Sequence, residues 1–336
     1  MKKKRYPKTK FVFVIKILVI LIFPFVSRSQ ECEKVKITDF PAKDLPNESD
    51  RVLLRGEDPY VNYYGIGVEI DYVKARFLAF VVKENNVEEK PLDGYSILMM
   101  LYANGFGVER NLDLSIRLAC ANVWGAPAEK EGRIQHLNDM KTAESRGIFD
   151  ICDDITSGFM DGICHSIRSE LAVTKRKQEM DSIISKWTNQ EKQAYLELRK
   201  AATIFFDERA AFEVDLTGTS RSAFQLDESD DLEDQFLSEI AKADKCSIKK
   251  YSVQNFVQAD SKLNSVYSRI KQNKTTIYGS VTKDGVRKTQ RKWIQYRNAW
   301  VLFAAVKCPF EMEISWKTMI TNERIKQLQE LVDAQK

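Results

Sequence analysis

Apolar residues recur every three or four positions along most of the chain after residue 151, which is the spacing of one face of an α-helix. The stripe from Ile167 to Trp187 predicts one long helix. Further helices are predicted near residues 188–212, 232–243, 253–271, 286–306 and 319–334. No alternation of apolar and polar residues indicates a strand of any length, so the sequence predicts an all-α fold.

Two local signals divide these helices. Thr188-Asn-Gln-Glu191 has the form of a capping box, in which the first and fourth side chains each accept a free backbone amide at the start of a helix. Thr217-Gly218-Thr219 is typical of a turn. The helix between these signals is therefore predicted to begin near residue 188 and to end before residue 217.

Two similar segments precede the helical region. Tyr64-Gly65-Ile-Gly67-Val68 returns 40 residues later as Asn104-Gly105-Phe-Gly107-Val108. The glycines can turn the chain with positive φ, and Asp71 or Asn111 can then cap a second helix. The pattern resembles the Sel-one-like repeat, a relative of the tetratricopeptide repeats, and the resemblance implies stacked antiparallel helix pairs.

The first residues of the chain are typical of an export signal. A basic start is followed by an apolar stretch over residues 11–26, whose uninterrupted part begins after Lys16 and is too short to span a bilayer. Ser27 and Ser29 are small residues suited to a signal peptidase, so we expect cleavage after Ser29. The alternative is an uncleaved anchor, and only in that case do we expect contact with a membrane.

Cleavage reverses the sign of the net charge. The whole chain has 52 Lys and Arg against 48 Asp and Glu, and eight of the basic residues lie in residues 1–29. The remaining 44 basic residues leave a mature chain with a net charge of −4. The composition therefore gives no electrostatic support for binding nucleic acid.

All six cysteines lie outside the signal, and an even number in an exported chain favours disulfides over a metal site. The chain has no CxxC pair and only two histidines, His136 and His165, so no metal site and no cofactor is expected. Sequence signatures of common enzyme classes are missing as well.

The patterns along the chain predict five regions. They are a signal peptide at 1–29, an extended lead-in at 30–59, a short helical-repeat module at 60–124, a connector with one short helix at 125–149, and a disulfide-stabilised helical bundle at 150–336.

Two motifs in the C-terminal region share a resemblance. The first reads D-x-x-L-N-x-x-Y and the second Q-x-x-W-x-x-Y-R. Their residues are Asp260, Leu263, Asn264, Tyr267, Gln290, Trp293, Tyr296 and Arg297. The two motifs resemble the lysozyme-inhibitor LprI-like family, and Asp260 is expected to pair with Arg297 if the two helices pack antiparallel. The aromatic residues of the second motif fit either a helical core or a ligand-binding shelf.

The resemblance also bears on the cysteines. The order Cys152…Thr156-x-x-x-Met160-x-x-x-Cys164 resembles the start of the same family's domain, where such cysteines pair. It therefore implies a disulfide between Cys152 and Cys164. The other four cysteines allow three pairings, which the sequence leaves open. They are Cys32, Cys120, Cys246 and Cys308.

One acidic cluster is a candidate partner-binding surface. Its members are Asp227, Glu228, Asp230, Asp231, Glu233 and Asp234. The cluster fits either a solvated loop with a helix N-terminus, where acids are favoured, or a docking surface for a basic protein partner. Nearby, Arg199 and Arg209 fit either ion pairs within a helix or a binding surface.

The combined expectation is a bacterial envelope protein, periplasmic or secreted, that acts by binding and not by catalysis. The family resemblance implies inhibition of a lysozyme-type hydrolase through steric occlusion of its cleft. An envelope adaptor that uses the helical repeats to bind a protein partner is the alternative. An envelope hydrolase is the third hypothesis. Its only candidate catalytic pair in the sequence is the adjacent Cys164 and His165.

Overall fold

The computed structural model describes residues 28–53, 57–84, 92–122, 124–142, 147–272, 276–309 and 313–334. The predicted signal peptide lies outside these residues, apart from Arg28 and Ser29. The described residues form thirteen α-helices, a short 3-10 helix at Ala42–Asp44 and one hairpin. The helices are α1 (Arg28–Val35), α2 (Glu48–Leu53), α3 (Pro59–Tyr64), α4 (Tyr72–Glu84), α5 (Gly94–Asn104), α6 (Leu112–Ala121), α7 (Pro127–Thr142), α8 (Gly158–Ile184), α9 (Asn189–Phe212), α10 (Arg221–Asp244), α11 (Val253–Gln272), α12 (Lys283–Lys307) and α13 (Glu313–Asp333). The predicted all-α class is confirmed.

The two similar glycine segments form two similar turns. Gly65 ends α3 and Gly105 ends α5, each in the left-handed conformation, with φ of 74° and 71°. The side chain of Asn111 then accepts the amide of Leu114 and caps α6. Helices α3 to α6 pack in sequence order. The assignment of this region to Sel-one-like repeats stays a prediction.

Two apolar cores lie along the chain. The first is built mainly by α3 to α7 and the start of α8, where Met160 and Cys164 are buried. The second is built by α9 to α13 around Trp300 and Trp316, whose rings stack with centroids 5.0 Å apart. The far end of α8 packs on this second core through Met180 and its neighbours. A helix of 27 residues is about 40 Å long, so α8 reaches from one core to the other.

Three disulfides cross-link the described residues, one of them within a short loop and two of them between distant segments. Cys32 in α1 bonds Cys120 in α6, Cys152 bonds Cys164 in α8, and Cys246 after α10 bonds Cys308 after α12. The second pairing is the one that the family resemblance implies. By the chain-entropy argument, the shortest loop contributes about 3 kcal/mol and the longest between about 4 and 5 kcal/mol.

The expectation of an extended lead-in at residues 30–59 was wrong. This stretch contains α1, the 3-10 helix and α2. Pro41 and Pro59 stand at the starts of helical turns, where proline is well tolerated, and not in extended chain. Buried Asp44 fixes the segment to the first core, because its carboxylate accepts the hydroxyl of Tyr102 at 3.0 Å and meets Arg76 at 3.3 Å.

Two further expectations need correction. The helix expected near residues 134–140 is longer, because α7 begins at Pro127. Its first turn is held by buried Glu129, which accepts the amides of Ala126, Thr156 and Ser157 at 2.7 to 2.9 Å. The hairpin was also missed. It pairs β1 (Thr276–Tyr278) with β2 (Val281–Thr282), and Gly279 turns between the strands with φ of 47°.

Candidate interaction sites

The acidic cluster lies within α10 and not at a helix N-terminus, because α10 already begins at Arg221. On the side of α8, Asp227 meets Nδ1 of His165 at 2.5 Å. Arg176 donates to Asp234 at 3.0 Å and also to Asp230. These contacts join α10 to α8 by charge as well as by packing.

The acids on the side of α9 are paired in the same way. Both terminal nitrogens of Arg199 donate to Glu233 at 2.6 Å, in a bidentate arrangement. Arg209 is buried and donates to Glu228. Burial opposes the charge of Arg209, but nearby Glu228 and Glu213 raise its pKa overall. Both arginines therefore form ion pairs, as the structural alternative expected, but these partners lie on α10 and not within α9, so the expectation of pairs within one helix was wrong.

Asp231 differs from the other five acids. It is exposed, and it has no ion pair or hydrogen bond among the described residues. For each of the other five acids, a partner that binds the cluster would compete with an arginine or with His165, which is already in contact with that acid. The role of all six acids in binding a partner stays a prediction. Asp231 is the acid that could contact a partner without first giving up an ion pair among the described residues.

The D-x-x-L-N-x-x-Y and Q-x-x-W-x-x-Y-R motifs lie on α11 and α12. Arg297 reaches Asp260 at 3.7 Å and stacks over the ring of Trp293 at 4.8 Å from its centroid. Burial lowers the pKa of Arg297, and Asp260 opposes that effect. Asn264 donates to Asp260 at 3.1 Å, which fixes the carboxylate. The pairing expected between Asp260 and Arg297 is thus present.

The aromatic residues of the second motif are core residues. Trp293 and Tyr296 are buried with Trp300, and Tyr296 stacks on Phe205 at 5.1 Å between centroids. Leu263 is also buried, and Tyr267 is partly buried. Because these side chains are buried, the core interpretation of the stripe fits the structure.

Gln290 belongs to a buried polar network that the sequence did not predict. Its carbonyl oxygen accepts Nε of Arg324 at 2.9 Å. Arg324 is fully buried and donates two further bonds to Glu213, at 2.7 and 2.5 Å. A buried ion pair is favourable only when its hydrogen bonds are satisfied, and this bidentate geometry satisfies them. The network joins the end of α9 to α12 and α13.

Glu239 on α10 is a buried acid without a charged partner in contact. Its side chain is 4 % exposed, one carboxylate oxygen accepts Gln235 at 3.0 Å, and the other has no hydrogen bond. Burial raises the pKa of Glu239 to about 7, with a further rise from Glu323 that is opposed by Gln235 and two lysines. The carboxyl is therefore neutral in mildly acidic solution.

A groove of about 810 Å³ opens between the start of α8 and the start of α10. Gly158 and Gly162 allow α8 to approach the opposite wall closely. A Cβ atom on Gly158 would lie 2.4 Å from the backbone of Thr219, and one on Gly162 would lie 2.4 Å from the hydroxyl of Ser222. Sequence reasoning missed this groove, because its two walls lie about 60 residues apart along the chain.

Catalytic and metal chemistry find little support in the described residues. Cys164 is disulfide-bonded, so it supplies no thiolate to His165, which instead lies between Asp161 and Asp227. No group of three or more histidine, cysteine, aspartate or glutamate side chains could hold a metal ion in the part of the chain that the structure describes. Among the described helices, none combines the length and the apolar content needed to cross a bilayer.

Comparison with known proteins gives one positive finding. Neither the curated proteins nor the solved structures contain a match to this chain. One family model matches a segment of the chain, residues 238–328. This segment runs from the second half of α10 through α11, the hairpin and α12 to most of α13. It is shorter than the bundle predicted at 150–336, and it contains both C-terminal motifs but not Cys152 and Cys164. The family model that matches this segment, residues 238–328, is that of the lysozyme inhibitor LprI.

Proposed function

We propose that this chain is an exported, non-enzymatic protein of the bacterial envelope that inhibits a lysozyme-type peptidoglycan hydrolase. The observation that carries the proposal is the match of residues 238–328 to a family described as a lysozyme inhibitor. Three disulfides support an oxidising compartment outside the cytosol. The matched family is defined by inhibition and not by a reaction, which favours binding over catalysis.

The outer face of α11 is the part of the matched segment that we propose as the inhibitory surface. Val253 is 67 % exposed and Val257 is 52 % exposed, and they lie one turn apart on the same side of the helix. The two valines give a small apolar contact surface at the start of α11. The polar residues around them would form the rim of such a contact.

The α11 surface is held in a fixed position, which an occluding inhibitor needs. The disulfide between Cys246 and Cys308 ties the chain before α11 to the end of α12. The amide of Tyr251 donates to Ser315 at 3.0 Å, and Arg269 donates to Gln329 at 3.0 Å near the other end of the helix. A partner would therefore meet a surface that loses little conformational entropy on binding.

The proposal is tested by measuring lysis of purified peptidoglycan by a lysozyme in the presence of the oxidised protein. We expect inhibition that rises in proportion to complex formation, and we expect Val257→Asp to abolish both. Val173→Asp is the matched control, because Val173 is 53 % exposed on α8, outside the matched segment. Equal inhibition by the two variants would reject the α11 surface. Undiminished lysis together with no complex would reject the inhibitor proposal itself.

The acidic cluster offers a separate test of electrostatic docking. Lysozymes are typically basic, so acids would speed their encounter with this protein. Asp231→Lys changes the charge of the surface without breaking an ion pair or hydrogen bond among the described residues, whereas reversal of Asp230 would also break its ion pair with Arg176. We expect Asp231→Lys to slow association at low salt, with a smaller effect as salt is raised. Association that depends on neither salt nor Asp231 would reject docking through this cluster.

An envelope adaptor is the second candidate function. It is favoured by three half-exposed apolar residues, Val68, Ile70 and Val73, which lie close together in sequence at the turn between α3 and α4. An adaptor would capture an envelope protein from an extract and leave hydrolases active, and the capture would be lost in Ile70→Asp. An enzyme would instead release soluble fragments from peptidoglycan when added alone.

A further inference from the structure

The groove between the starts of α8 and α10 has the lining of a sugar-binding site. Its volume of about 810 Å³ lies within the usual range for small-molecule sites, roughly 300–1,000 Å³. It lies outside residues 238–328, so the family match assigns nothing to it. Three features of its lining point to the same class of ligand.

The first feature is an aromatic platform. Phe159 lines the groove and is 53 % exposed. Its ring stacks on Trp124, with centroids 6.2 Å apart and planes inclined by 24°. The indole therefore supports the ring from one side, while much of the side chain stays open to solvent. The negative face of an aromatic ring attracts the weakly positive C–H groups on the flat side of a pyranose.

The second feature is a set of hydroxyls without partners. Thr156, Thr219 and Ser222 line the groove, and their hydroxyls form no hydrogen bond within the described part of the protein. A hydroxyl both donates and accepts, as the hydroxyls of a sugar do. Such groups can therefore exchange hydrogen bonds with a polyhydroxylated ligand in several ways.

The third feature is the start of α10. Ser220 makes no side-chain hydrogen bond to cap this helix, so amides of the first turn are not satisfied by a side-chain cap. Among the described residues that line the groove, Arg221 is the one with a charged side chain. A single cation and a few amides fit oxygen-rich ligands with little or no charge. They do not fit a polyphosphate, which would need several cations.

We propose that this groove binds an oligosaccharide of pyranose units, with one sugar ring stacked on Phe159 and its hydroxyls bonded to Thr219 and Ser222. Arg221 can pair with a carboxylate if the sugar carries one. A bound peptide strand is disfavoured, because helices form these walls and offer no sheet edge for strand addition. Sugar binding here is independent of hydrolase inhibition, since the two use different segments of the chain.

The experiment measures binding of chitotriose and of maltotriose to the full oxidised protein by titration calorimetry. We expect at least one trisaccharide to bind, and we expect Phe159→Ala to weaken that binding about tenfold. Phe224→Ala is the matched control, because Phe224 is 49 % exposed on α10 but does not line the groove, and it should change affinity less than twofold. Ser222→Ala should weaken binding by a smaller factor.

Two results would overturn the proposal: no heat of binding with either trisaccharide, or equal affinity of the wild type and Phe159→Ala. Thermal unfolding of each variant distinguishes lost binding from lost fold. The lysis assay is run on the same Phe159→Ala protein. We expect the Phe159→Ala variant to lose sugar binding and to retain inhibition. A wild-type protein that binds sugar through Phe159 but does not inhibit lysis would reject the proposed function and leave the sugar site in place.

Discussion

Replacing Glu239 by glutamine should make the protein more stable in neutral and mildly basic solution. The carboxyl of Glu239 is buried, and its pKa rises from 4.5 to about 7 in the folded state. Folding therefore favours the protonated form. Between pH 4.5 and 7 the folded state binds the proton that the unfolded state has released, so the free energy of unfolding falls as pH rises.

The size of this effect follows from the pKa values. A difference of about 2.5 between folded and unfolded pKa corresponds to about 3 kcal/mol, at 1.36 kcal/mol for each unit. Wild-type stability should lose up to this amount between pH 4.5 and 8. The amide of Glu239→Gln stays neutral throughout, and its oxygen can still accept Gln235. The variant should therefore match the wild type near pH 4.5 and exceed it at pH 8 by about 1–3 kcal/mol.

Urea unfolding at pH 4.5, 6 and 8, with the disulfides intact, measures this difference. Tryptophan fluorescence reports on the second core, because Trp293, Trp300 and Trp316 are buried there. Asp231→Asn is the control on the same helix, because it makes the same change from acid to amide at an exposed position. The reasoning is refuted if Glu239→Gln and the wild type lose stability in parallel as the pH rises.

Three further substitutions test the packing of the helical bundle. Arg324→Met should lower the free energy of unfolding by about 3–5 kcal/mol, because it leaves the buried charge of Glu213 unpaired; chemical denaturation measures this loss, and a loss below 1 kcal/mol would contradict it. Replacing Cys152 and Cys164 by serine should cost about 3 kcal/mol in the same assay, and unchanged stability would reject that value. Arg297→Ala should lower the melting temperature, because it removes the contacts with Asp260 and the ring of Trp293. The control Arg291→Ala should not lower it, because Arg291 is exposed. Altered partner affinity with an unchanged melting temperature would argue for a binding role of Arg297 instead.

The long helices could be predicted from the sequence because their signals are local. Apolar spacing located α9 and α11 to α13, but it found only the second half of α10, which begins at Arg221 and not near residue 232. The capping box at Thr188 and Glu191 is confirmed, with both of its hydrogen bonds formed. The hairpin was missed because strands of three and two residues are too short to show alternation. Its one local sign was Gly279-Ser280, a pair that suits a two-residue turn.

The contacts between distant segments could not be predicted in the same way. Arg324 and Glu213 are 111 residues apart, and nothing near either residue marks it as buried. The pairings of Cys32 with Cys120 and of Cys246 with Cys308 depend on the tertiary packing, which the sequence does not specify locally. The contact between Asp260 and Arg297 could be predicted, because the two family motifs lie on helices that follow each other along the chain.

The acidic cluster shows why a run of acids in the sequence does not reveal whether those acids are free to bind a partner. Six acids within eight residues suggested a helix N-terminus or an open docking patch. In the fold, five of them face basic residues of α8 or α9, which lie 19 to 62 residues away along the chain. Their charge contributes to packing between helices, and only the exposed Asp231 keeps the character that the sequence indicated for all six.

The most direct measurement of the central claim is the rate of peptidoglycan lysis by a lysozyme, titrated with the oxidised full chain and with its Val257→Asp and Val173→Asp variants. We predict that the wild type and Val173→Asp slow lysis in proportion to the complex formed, and that Val257→Asp does not. Lysis at the uninhibited rate with saturating wild-type protein would contradict the assignment of this chain as an inhibitor.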